Sequence, residues 1–126
     1  MQDILSKSDI KLMVDTFYDK VKVDDLLGPI FHQVIGNNWE PHLLKMYTFW
    51  ESLLFHNPVY NGTPYPKHAD LPIKTLHFER WLLLFNANLD SLFEGPIAND
   101  AKKKGDNIAQ VFMAKMFTPN SHLPIV

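Results

Sequence analysis

The 126-residue chain contains no cysteine. That excludes disulfides, cysteine nucleophiles, thiolate metal sites, iron–sulfur clusters and thioether-linked cofactors. It has no basic block either. Lys and Arg number 12 against 14 Asp and Glu, and the one basic run is Lys102-Lys103-Lys104. Nucleic acid needs clustered cations, so it is not an expected partner. No apolar run approaches the ~20 residues that span a bilayer, so no membrane is expected. The start, Met1-Gln2-Asp3-Ile4, has neither a basic stretch nor an apolar core, and a cytoplasmic location is expected. No stretch alternates apolar and polar residues for long enough to be a strand.

Apolar and aromatic residues are plentiful instead, at 46% and 13%, with nine Phe, four Tyr and three Trp. Such a chain buries a core, and its length suits one domain over 1–126. The aromatic load fits a core built around something large and flat. It fits an ordinary aromatic core equally well.

Helical periodicity orders the chain. Ile10, Met13, Val14, Phe17 and Val21 predict an amphipathic helix over 8–22, capped by Ser6 or Ser8. Tyr18 falls on the edge of that face, where a hydroxyl usually reaches solvent. A short helical segment over 24–31, punctuated by Gly28-Pro29, precedes a loop at Gly36-Asn37-Asn38. A helix from near Pro41 to about His56 places His42, Met46, Phe49, Trp50 and Leu53 on one face. Residues 57–67 carry three prolines and an Asn-Gly pair, which no ordinary helix survives. His68 to Pro72 allows one turn. Thr75 then caps a helix to about Phe93, with Phe78, Trp81, Phe85 and Leu92 on a stripe. A last helix begins at Pro96, weakened in the middle by Gly105. The tail 118–126 is expected to be loosely attached. The fold class is all-α.

None of the six histidines pairs with another at metal-ligand spacing, and no Glu-x-x-His repeat is present. Polynuclear metal and zinc are therefore not expected. A haem needs one axial imidazole and apolar walls, which leaves His68, after its long proline-rich loop, as a candidate. On the residues alone a lone histidine is more often structural or solvated.

An ordered set of motifs goes further. Phe17-Tyr18 is followed by Leu27-Gly28-Pro29-Ile30-Phe31, then Trp39-x-x-His42 and Phe49-Trp50. Lys67-His68-x-Asp70-Leu71-Pro72 and Phe78-x-x-Trp81-Leu82 complete it. Over residues 10 to 85 this resembles the truncated haemoglobins, most closely their third group. The resemblance implies a shortened globin fold, a two-over-two helical sandwich around haem b (iron protoporphyrin IX). It implies that His68 ligates the iron and that Tyr18 and Trp81 hydrogen-bond a gas ligand. His42 would stand at the distal entrance, and Phe31, Met46, Phe49, Trp50 and Phe78 would line the porphyrin. Lys67 and Arg80 are near enough in sequence to meet its propionates. The expected small ligands are O2, CO, NO or peroxide. An unidentified reductase would be needed for any turnover, and a monomer is expected. The contrasting reading is a haem-free helical sensor or interaction domain.

Overall fold

A computed structural model describes residues 1–59 and 73–117. Among these residues there are five helices and no strand: α1 Lys7–Val23, α2 Leu27–Ile35, α3 Trp39–Phe55, α4 Thr75–Leu92 and α5 Pro96–Phe117.

The first helix follows its periodicity closely. Ser6 is the cap, its Oγ accepting the Asp9 N–H at 3.2 Å. Ile10, Met13, Val14, Phe17 and Val21 are all buried. The second helix departs from expectation. It begins at Leu27 and runs past Phe31 to Ile35, because Gly28-Pro29 sits inside its first turn, where a missing N–H costs nothing. Asp24 prepares that start: its Oδ2 accepts the Leu26 and Leu27 N–H groups at 3.0 and 2.9 Å. The third helix opens at Trp39, two residues ahead of Pro41, and ends where His56 turns left-handed. The cap of α4 is also corrected. Thr75 is already helical, and the residue outside it is Lys74, whose N–H donates to Nδ1 of His77 at 3.0 Å.

The helices pack in pairs. α1 lies on α3 and α4 on α5, while α1 also meets α4 and α3 meets α5. This is the expected two-over-two arrangement. Buried Asn88 ties α1 to α4, donating to the Met13 carbonyl at 3.0 Å and accepting from Lys20 Nζ at 2.7 Å. Asp3 ties the N-terminal segment to α5. Its two oxygens accept the Ile97 and Ala98 N–H groups at 2.9 and 2.8 Å. Gly105 is a point of contact, not of weakness. α5 runs through it, and a Cβ there would lie 2.8 Å from Cε2 of Phe85. The glycine lets α5 close onto α4 beneath the aromatic residues described next. No described helix is long and apolar enough to cross a membrane.

Candidate functional site

The packed pairs leave a cleft of about 810 Å³, part of it open to solvent, among α1, α2, α3, α4 and α5. The wall is almost wholly aromatic and aliphatic. The side chains on it that carry an N–H or O–H are Tyr18, Trp50, His77 and Trp81.

Phe17 is the hub. Its ring meets Tyr18, Trp81 and Phe85 edge-on at 5.1, 5.5 and 5.3 Å between centroids. Trp81 lies flat on Phe85, with planes 7° apart, and Trp50 stacks on the same ring at 5.0 Å. These contacts fix two indoles from different helices against one buried phenylalanine. They leave the rotamers of the cleft wall little freedom.

Tyr18 does not reach solvent. It is 7% exposed, and Phe31, Trp39 and His42 pack edge-on against its ring at 6.0, 6.1 and 5.1 Å. Burial pushes its phenol above the ordinary tyrosine value, and neither a hydrogen bond nor a charge among the described residues contributes to that shift. A phenol is a neutral donor at physiological pH, and burial adds to that margin.

The residues singled out in the sequence do not all meet here. Phe31, Met46, Phe49, Trp50, Phe78, Tyr18 and Trp81 share the cleft. His42 touches Tyr18 and Trp39 without itself lining the wall. Arg80 does not line it either. Its guanidinium is 2.7 Å from Asp24 Oδ1, an ion pair that joins the start of α2 to α4. Burial alone would raise the Asp24 carboxyl. The Leu27 N–H, the Arg80 guanidinium and the Leu26 N–H outweigh it and hold the group below the usual carboxylate value. Lys67 and His68 lie outside the described residues.

Several lining residues carried no expectation: Leu27, Ile30, Ile73, His77, Ile108 and Phe112. Ile108 and Phe112 stand one turn apart on α5, a spacing that marks a shared face but not what the face meets. His77 precedes Trp81 by one turn and so shares its side of α4. That spacing places His77 on a side of the helix but does not show what the side meets.

An all-helical sandwich with an aromatic cleft between its helix pairs is a globin architecture, and the chain belongs to the bacterial-like globins, whose family model matches residues 3–115. Within that family it is similar to the group 3 truncated hemoglobin of Campylobacter jejuni, at 32% identity over 95% of this chain and 98% of that one. The crystal structure of the group III truncated hemoglobin from Campylobacter jejuni superposes with a TM-score of 0.86, covering 94% of this chain and 97% of the other.

Proposed function

We propose that this chain holds haem b in the aromatic cleft and binds O2, CO or NO there, with high affinity for oxygen. Shape and chemistry support the fit. A flat apolar macrocycle matches walls of Phe31, Met46, Phe49 and Phe78, and few polar groups would have to be stripped of water. By family resemblance, His68 is the protein ligand to the iron, and Tyr18, Trp81 and His42 form the distal side. When bound, ferrous haem supplies an open coordination position for a diatomic gas and redox chemistry on what it takes.

The observation that carries the reading is Tyr18: a buried phenol on a cleft wall, held in place by the rings of Phe17, Phe31, Trp39 and His42. Its hydroxyl is a fixed donor toward a partly negative ligand, and the indole N–H of Trp81 is a second. The rings packed around Tyr18 limit the water that would compete for its hydroxyl. A hydrogen bond to a charged acceptor contributes roughly 1.5–3 kcal/mol. Strong retention suits chemistry on the bound gas better than oxygen delivery. We therefore favour nitric oxide or peroxide detoxification, with electrons from a separate reductase, by a cytoplasmic, single-domain monomer.

The purified chain, alone or after addition of haemin, is expected to show an intense Soret band at one haem per chain. A colourless protein that takes up no haemin would instead be a haem-free sensor or interaction domain.

A further inference from the structure

We propose that His77 is a haem-propionate donor of this cleft, its Nε2–H hydrogen-bonding a carboxylate at the rim. This rests on the haem reading above, and it assigns a residue that neither the motifs nor the family resemblance singled out.

The backbone sets the tautomer of His77. The backbone N–H of Lys74 donates to Nδ1 of His77 at 3.0 Å. A nitrogen that accepts cannot carry a proton, so the neutral ring holds its proton on Nε2. An iron-ligating imidazole needs the reverse, a free lone pair toward the metal and an N–H directed to the protein. His77 is therefore not an axial ligand, although it is the one imidazole among the described lining residues. What it offers the cleft is an N–H.

Position decides what that N–H meets. His77 is half-buried in the first turn of α4, Trp81 follows one turn deeper on the same side, and Phe85 another turn on is 1% exposed. The histidine thus marks the outer end of the α4 wall. A porphyrin in an apolar cleft must leave its two carboxylates at the wet end, because burying an unpaired charge is prohibitive. Arg80, the cation of this part of α4, is bound to Asp24 and is not on the wall. Among the described lining side chains, His77 is the polar group that combines a fixed donor with a place at the rim.

The test separates the donor from the helix cap, because His77 serves both. Gln and Glu at this third helical position each keep an acceptor for the Lys74 N–H, so both variants should fold. Only Gln keeps a donor. The readout is the rate at which ferric haem transfers from the protein to excess apomyoglobin. It is measured for iron protoporphyrin IX and for its dimethyl ester, whose propionates are uncharged. Loss of iron protoporphyrin IX from His77→Glu should be about tenfold faster or more. His77→Gln should stay within about threefold of the unmodified protein, and the ester should leave all three proteins at similar rates. If His77→Glu speeds the loss of both porphyrins equally, or of neither, the propionate assignment is overturned while the haem reading stands. If the unmodified protein takes up no stoichiometric haemin, both fall together.

Discussion

Tyr18 shows how one residue changes meaning with its surroundings. On the edge of an amphipathic helix a tyrosine normally extends its hydroxyl to water. Here four rings crowd it and burial pushes the phenol further above its ordinary value. The expected consequence belongs to this scale. Tyr18→Phe removes a donor with almost no change in shape, so oxygen dissociation should accelerate roughly tenfold to a hundredfold. Laser photolysis and stopped-flow displacement by CO would measure it. An unchanged off-rate would take Tyr18 out of ligand binding. Burial is the quantity that the sequence could not supply for this residue: helical phase placed Tyr18 on the boundary, and only α2 and α3, arriving from elsewhere in the chain, closed over it.

At the scale of elements, periodicity predicted helices well and boundaries less well. α1 and α5 start where their capping residue and proline indicated. α2 and α4 do not: Gly28-Pro29, which punctuates the expected 24–31 segment, and Thr75, the expected cap, each lie inside a first turn. Gly105 is the more instructive case. In isolation it costs a helix about 1 kcal/mol relative to alanine. In the folded chain a methyl at that position would collide with the ring of Phe85, which cannot retreat because it stacks on both Trp81 and Trp50. Gly105→Ala should therefore destabilise the protein by about 1–3 kcal/mol, the reverse of the propensity prediction. A urea titration decides the sign. A gain in stability would mean that the α4–α5 contact is looser than described. The helical pattern gave no hint of this because it reports which face is apolar, not how closely the next helix approaches.

At the scale of the whole molecule, two carboxylates join segments distant in sequence: Asp24 links the start of α2 to α4, and Asp3 links the N-terminal segment to α5. Both are held below the usual carboxylate range. For Asp3, burial alone would raise it, and the Ile97, Ile4 and Ala98 N–H groups outweigh that. A folded-state pKa below the unfolded one stabilises the protein above the unfolded value, and that contribution disappears as the pH falls through the folded one. Asp24→Asn should accordingly cost about 1–2 kcal/mol at neutral pH, allowing for the partly exposed Arg80, and progressively less below about pH 4. Urea midpoints across a pH series would show it. A penalty that does not change with pH would mean that the charge is not what Asp24 contributes. The topology itself was legible through the family resemblance, which six short fragments in order carry. The cleft was legible in part. Its aromatic lining followed from the helical faces. The α5 wall and the rim histidine did not, because they depend on which helix lies opposite.

The central claim is that a single imidazole, His68, anchors haem to this set of helices. The most direct measurement is the haem content and Soret spectrum of His68→Gly, purified and reconstituted with haemin, with and without free imidazole. The variant is expected to fail to retain stoichiometric haem on its own and to recover a histidine-ligated spectrum when imidazole fills the gap. A variant that holds one haem per chain with an unaltered spectrum, and is indifferent to imidazole, would contradict it.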